Sequence, residues 1–265
     1  MPAVASDRGG PTSRSILVPI VVLIAVVALA GAALAWGGDG DATADGTDDD
    51  AAAVDEADPA DPEAPAEGET GTTEDDQAAA LAALERREEG DPLAVGDVDA
   101  PVVMIEWADF QCPFCGSFAR DTKPVLTERF VDDGVLRIEW RDFPVLGEES
   151  LSAALAGRAA AEQDAFWELH DEIFAEDRPR DAGELDADAM LAMAEDLGLD
   201  VDRFADDMED PALREAVQQD HAIAQELGVT GTPAFLVNGR SLIGGQPAEV
   251  FVELVEDAAA EAASS

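Results

Sequence analysis

The chain has 265 residues, of which 60 are Asp or Glu and 15 are Lys or Arg, for a formal net charge of −45. Nucleic acids and anionic lipid surfaces both require positive charge on their partner, so neither is an expected ligand. Two cysteines are also too few for the disulfide framework of a small secreted domain.

Ile16 to Trp36 forms an uncharged run of 21 residues. At about 1.5 Å per residue it would span roughly 30 Å, the thickness of a bilayer core, and it predicts one transmembrane helix. Arg8 and Arg14 precede the run and an acidic stretch succeeds it. The positive-inside rule then places residues 1–15 in the cytoplasm and the rest of the chain outside. Ala33-Leu34-Ala35 resembles a processing site, so a cleaved signal peptide is the alternative reading; both export the downstream residues. No cysteine lies near the run, which argues against a lipid anchor. From Gly37 to Gln77 there are 16 acidic residues and no Lys or Arg. Such a segment repels itself and has little apolar surface to bury, so residues 37–77 are expected to be a disordered acidic linker.

Residues 78–265 are long enough for one well-cored domain. The pattern predicts a short amphipathic helix over 78–89, ended by Gly90 and Asp91-Pro92. Val102 to Trp107 reads as a buried strand. Phe114 to about Val131 reads as a helix that Pro124 kinks or breaks. Val135 to Trp140 alternates as a second strand. Next comes a block with helical pattern, over Ala153–Phe174, Ala187–Leu197, Val201–Met208 and Pro211–Leu227, which is read as an inserted helical subdomain at about 147–228. Ala234–Val237 and Leu242–Ile243 flank Asn238-Gly239, a strong hairpin turn, and Pro247 opens a last helix to about Ala260. Strands alternating with helices imply an α/β fold, a sheet with helices on its faces.

Both cysteines sit in Cys112-Pro113-Phe114-Cys115, between the first strand and the helix after it. At a helix N-terminus the unpaired N–H groups and the macrodipole favour an anion, so the first thiol is biased towards thiolate, the form that attacks disulfides. The pair therefore reads as a redox centre. The competing readings are half of a zinc site and two inert buried thiols. A closed zinc site needs four ligands, there is no second Cys pair, and His170 and His221 are the only histidines, so no metal or other cofactor is expected. Trp167 and His170 fall at core spacing among Phe166, Leu169, Ile173 and Phe174 and are read as structural; His221 is read as a surface residue.

Over about residues 91–260 the chain resembles the thioredoxin superfamily, specifically the DsbA-like thiol–disulfide oxidoreductases with a helical insertion. The resemblance rests on Glu106-Trp107-Ala108-Asp109-Phe110-Gln111 leading into the Cys pair, and on Arg141-Asp142-Phe143-Pro144. It rests also on Phe166-Trp167 with His170-Asp171 and Phe174, and on Gly228-Val229-Thr230-Gly231-Thr232-Pro233-Ala234-Phe235. It implies that Cys112 is the exposed nucleophile, Cys115 the buried resolving thiol, and Pro233 a cis proline facing them. Thr232 and Pro233, with Pro113 and Phe114 between the thiols, are the implied substrate contacts. Glu106 stands where the family has a buried acid that passes protons to or from Cys115; an exposed face of an edge strand is the other reading of that residue.

One departure bears on the direction of electron flow. Strongly oxidising family members carry His where this chain has Phe114, which offers the thiolate neither charge nor hydrogen bond. The expected activity is the introduction of disulfides into exported proteins, with reoxidation by a membrane partner, quinone-linked by family analogy. A reductase or isomerase of the same fold and a non-catalytic chaperone or binding module are the alternatives. The expected location is the cell membrane, single-pass, with the domain outside. The acidic surface suits a salt-tolerant organism, or reflects only an acidic, Ala-rich proteome.

Overall fold

A computed structural model of the protein describes residues 79–264. The expected membrane span at 16–36 and the linker at 37–77 lie outside those residues. Among the described residues no helix is long and apolar enough to cross a membrane.

Five strands form one sheet: β1 (Ala94–Val95), β2 (Val102–Ala108), β3 (Leu136–Asp142), β4 (Ala234–Val237) and β5 (Arg240–Ile243), in the order β1-β3-β2-β4-β5. β2 and β3 run parallel and the other pairs antiparallel. Between β2 and β3 runs α1, a continuous helical segment over residues 113–131. The insertion consists of α2 (Glu148–Ala161), α3 (Phe166–Phe174), α4 (Ala187–Asp196), α5 (Val201–Met208) and α6 (Pro211–Glu226); α7 (Ala248–Ala262) closes the described chain.

Strand periodicity sorts β2 onto two buried faces. Val102 and Met104 join Leu136, Ile138, Phe235 and Val237 against Phe118 and Leu126 of α1 and Phe251 and Val255 of α7, the first face. Val103, Ile105 and Trp107 lie on the second face with Ala234, Leu236 and Ala224 of α6. β2 is buried on both sides because it sits in the middle of the sheet, which removes the edge-strand reading of Glu106. A third cluster joins sheet to insertion: Trp140 stacks on Phe110 (4.8 Å between centroids) and meets Phe166, His170 and Phe174. The small residues of α2 admit these rings. A side chain at Gly157 would come within 3.1 Å of Phe166 and 3.3 Å of Phe110.

Three expectations need correction. The helix over 78–89 is one helical turn at 79–82, followed by an irregular strap across the second face. Between residues 84 and 88 four of its backbone groups bond to side chains of β3. The N–H groups of Arg86 and Arg87 donate to Glu139 Oε2 (2.9 Å) and Oε1 (3.0 Å), and the carbonyls of Leu84 and Glu88 accept from Arg141 (2.7 Å) and Arg137 (2.9 Å). The strap then adds the two-residue β1, which the sequence reading did not anticipate. Gly96 passes so close to β3 that a Cβ would lie 2.4 Å from the Leu136 carbonyl oxygen. Second, the single helix expected over Ala153–Phe174 is two, α2 and α3, separated by a turn in which Asp164 adopts φ +58°. Third, Pro124 does not end α1. π-helical turns at Phe118–Thr122 and Thr127–Val131 flank the α-helical turn Lys123–Leu126 and accommodate the missing proline N–H.

The polar residues of β3 alternate as on a half-exposed strand, yet Arg137, Glu139 and Arg141 are all buried beneath the strap. Glu139 bonds to Arg137 Nε (3.0 Å) and Arg141 Nη2 (3.2 Å). Burial opposes its charge, but the Arg86 and Arg87 amides and the two guanidinium groups hold the carboxyl below its usual range. The stability this adds is therefore present at neutral pH and lost as pH falls through the folded-state value. Replacing Glu139 by Ala leaves two buried arginines and two amides without their acceptor. The expected cost is about 3–5 kcal/mol in denaturant unfolding at pH 7, with the difference from wild type shrinking on acidification. A loss below about 1 kcal/mol would show the cluster to be incidental.

Candidate active site

Behind β2 the chain turns sharply, and Asp109 fixes the turn. Its Oδ1 accepts from the Gln111 amide (2.8 Å), while Oδ2 accepts from the amides of Val145 (2.8 Å) and Leu146 (3.0 Å) in the loop after β3. Gln111 is held from the other side. Its amide nitrogen donates to Ser150 Oγ (3.0 Å) and Asp181 Oδ1 (3.2 Å), and its carbonyl oxygen accepts from the Asp181 amide (2.7 Å). The residue before the first thiol is thus tied to the insertion, and Cys112 takes the N-cap position of α1. Pro113 occupies the first helical position, where its missing N–H costs nothing.

Sheet and hairpin bring the distant Thr232 and Pro233 to this point. The Thr232–Pro233 peptide is cis, and the Thr232 carbonyl oxygen lies 3.2 Å from Cys112 Sγ. Pro113 is exposed and Phe114 is 61% exposed, projecting beside Gly245, where an added Cβ would lie 3.5 Å from the Phe114 backbone oxygen. The structure therefore gathers Cys112, Cys115, Pro113, Phe114, Thr232 and Pro233 around one corner of the sheet.

Cys112, expected to be exposed, is only 5% exposed, with the Thr232 carbonyl against its Sγ, so both free thiols are buried and differ because their surroundings differ. Cys112 is pulled down to about 6, first by the hydrogen bond from the Cys115 thiol. Burial works against this, while the Thr232 side chain and the Cys115 and Phe114 backbone add to it. Thr232 therefore serves both forms, its carbonyl accepting from the thiol and its side chain donating to the thiolate. Cys115 is fully buried, and desolvation with the neighbouring Cys112 and Glu106 charges pushes it well above the usual thiol range.

Glu106 lies on the first face, opposite Trp140 and Phe235 in register. Burial pushes its carboxyl up to about 8, the Lys123 charge opposing this and the Cys112 charge reinforcing it, and Oε2 has no hydrogen-bond partner. Lys123, the single lysine of the chain, was not a sequence candidate; its rarity in so acidic a sequence was the available signal. It is held at 2.6 Å by Asp171 of α3 and lies 4.4 Å over the Trp167 ring. Asp109 and Gln111 were likewise not singled out, though an Asp two residues before an amide donor is an Asx-turn signature. His170 is buried and lowered to about 4 by desolvation, so it stays neutral and packs among aromatic rings. His221, expected at the surface, is half-buried and lies 4.8 Å from the Phe143 ring.

A thioredoxin family profile matches residues 88–257. The chain belongs to the thioredoxin family. It is 39% identical over 172 residues to a Na(+)/H(+) antiporter NhaA 3 of Salinispora tropica, a match covering 63% of this chain and 24% of the antiporter. The chain thus spans about a quarter of the length of the first curated relatives it matches. It is also 34% identical over 151 residues to a probable disulfide bond formation protein D of Bacillus cereus, covering 55% of this chain and 69% of that protein. Among solved structures, Wolbachia pipientis α-DsbA1 superposes with a TM-score of 0.59 at 23% identity, over 65% of this chain and 92% of that one. That likeness concerns the fold: a thioredoxin-like α/β core with a DsbA-like helical insertion.

This thioredoxin-family site should show two pH dependences. Alkylation of Cys112 by iodoacetamide is expected to rise with a midpoint near pH 6, with Cys115 unreactive in the folded protein; a midpoint near 9 would contradict the hydrogen-bonding scheme. Glu106 has a folded-state value raised above its unfolded 4.5, so the folded state holds a proton that the unfolded state releases. Wild-type stability should therefore fall relative to Glu106→Gln by roughly 1.4 kcal/mol per unit as pH rises from 4.5 towards 8. Parallel pH profiles for the two proteins would mean that Glu106 is solvated.

Proposed function

We propose that the protein is an extracytoplasmic thiol–disulfide oxidoreductase that introduces disulfides into exported proteins, held at the membrane by residues 16–36. The observation that carries this reading is the divided thiol pair. Cys112, its thiol against the Thr232 carbonyl, is lowered to about 6, and Cys115, buried one helical turn behind it, is raised well above the usual thiol range.

In the oxidised pair, a client thiolate attacks Cys112 Sγ. The Cys112–Cys115 bond breaks, and the electron pair leaves on Cys115, which takes up a proton, with buried Glu106 as its proposed donor. A second client thiolate then attacks the client sulfur of the mixed disulfide and expels Cys112 as a thiolate, a good leaving group because its proton affinity is low. Two client thiols have then become one disulfide, and the two electrons rest on the Cys pair until a membrane partner removes them. Thr232, Pro233, Pro113 and Phe114 form the rim on which the client chain lies during the exchange.

Magnitudes bear on the direction. A thiol lowered to about 6 stabilises the reduced form at pH 7 by about 1.4 kcal/mol, or about 30 mV for a two-electron couple. Roughly 150 mV separates thioredoxin from the strongest oxidants of the fold, so thiolate stabilisation alone does not make this pair strongly oxidising. The relative from Bacillus cereus, by its name a probable disulfide bond formation protein, supports the oxidase reading. Phe114 in place of a thiolate-stabilising His favours the second reading, a reductase or isomerase of the same fold.

Equilibration with glutathione decides between them. An oxidase is expected to lie between about −120 and −180 mV, whereas a value near −270 mV would assign the pair to reduction. Cys112→Ser should abolish exchange in either direction; client oxidation that survives it would remove the redox reading altogether.

A further inference from the structure

The hairpin β4–β5 carries more than the loop beside Cys112. β5 is an outer strand of the sheet, and its bonding pattern is fixed by register. Gly244 N donates to Pro233 O (2.8 Å), so the bonded pairs with β4 alternate through Phe235–Leu242 and Val237–Arg240. Ser241 and Ile243 fall between them, and their N–H and C=O groups point outward along the sheet edge, where the Ile243 carbonyl accepts from Gln246 Nε2 (3.1 Å). Their side chains lie on the second face, where no helix covers them: Ile243 is 60% exposed.

Beside this edge runs a groove of about 360 Å³, floored by Trp107, Ala234 and Leu236 and rimmed by Leu81, Leu227 and Ile243. None of its lining residues is charged, in a chain of net charge −45. Leu227, 41% exposed, stands at the start of the loop that delivers Thr232 to Cys112. At its other end β5 leads through Gly244, bonded to Pro233, to Gly245 against Phe114. The edge therefore ends against Phe114, between the thiols, and the groove ends at Ala234 and Ile243, the neighbours of Pro233 and Gly244, on the face of the sheet opposite α1 and α7.

We propose that the outer edge of β5 and its adjoining groove seat an extended, apolar segment of the client polypeptide, paired as an added strand that leads its cysteine to Cys112. The added strand would bond to the outward N–H groups of Ser241 and Ile243 and to the Ser241 carbonyl, and lay apolar side chains over Trp107 and Leu236, the two components of strand-addition recognition. An uncharged lining lets a client approach without the like-charge repulsion the remaining surface imposes. The inference rests on the exchange activity proposed above and specifies how its client is held.

The test uses the full chain, a dithiol peptide carrying an apolar segment, and glutathione as the small thiol. Ile243→Glu and, separately, Ser241→Pro should raise KM for the peptide about tenfold relative to the glutathione reaction. Ser241 also lines the groove, but its proline stays uncharged there, deletes an outward N–H and keeps the bonds to β4, so it reads the strand edge, whereas Ile243→Glu reads the apolar lining. A peptide KM unchanged in both variants would overturn the proposal. Hydrogen exchange gives a readout free of redox chemistry. A cysteine-free version of the peptide should protect the Ser241 and Ile243 amides, and failure to protect them would sink the proposal even where glutathione exchange proceeds. Protection with no glutathione exchange would instead uphold the groove and refute the exchange activity. Protection that grows with protein concentration in the absence of peptide would identify a second copy as the occupant and likewise overturn it.

Discussion

Glu139 is the residue on which three parts of the molecule converge. It sits in the sheet, receives two backbone amides from the strap, and separates two arginines that would otherwise repel each other. Arg141 extends the cluster towards Asp220 of α6, and Arg158 of α2 reaches both Asp220 and Asp142. Strap, sheet and insertion are thus joined through buried charge rather than through apolar contact alone. Such clusters contribute little net stability when complete and cost several kcal/mol when broken. Their value here is geometric, because a charged donor fork accepts few alternative dockings, whereas an apolar face tolerates sliding.

The redox corner inherits that geometry. Cys112 is held at its N-cap by Asp109 from behind and, through its neighbour Gln111, by Ser150 and Asp181 of the insertion. Burial alone would have raised both thiols. The difference between them arises because Cys112 sits where donors converge and Cys115 where they do not. Glu106, in the apolar interior beneath them, holds a proton at neutral pH for the same reason. One sheet corner therefore presents three ionisable groups whose proton affinities are spread by position within a few residues of each other.

Much of this was legible in the sequence, and the exceptions share a cause. The apolar run of β2, the Cys pair at a helix start, Asn238-Gly239 between strands and Thr232-Pro233 ahead of β4 are local signals, and each keeps its meaning in the fold. β3 misleads because alternation encodes only that one face is polar, not whether a strap later covers it. The strap misleads for the converse reason. Residues 78–89 have helical spacing, but the buried carboxylate of Glu139, more than 50 positions away, competes for their amides. His221 was misplaced on similar grounds, its acidic neighbours being local while the Phe143 ring beside it is not. Lys123 stood out only by being unique, and its partners Asp171 and Trp167 come from the insertion.

The inward arginines have a colloidal consequence. Arg137, Arg141 and Arg158 neutralise acids inside the domain, so the solvent-facing charge is left more one-sided than composition suggests. In dilute salt each domain carries a deep cloud of cations and holds other copies at a distance of about 10 Å or more. That standoff exceeds the roughly 5 Å at which strands pair. A bare strand edge such as β5 is ordinarily shielded by lysines, prolines or a covering helix. Here the shield is the counterion atmosphere, and its thickness is set by the ionic strength of the surroundings.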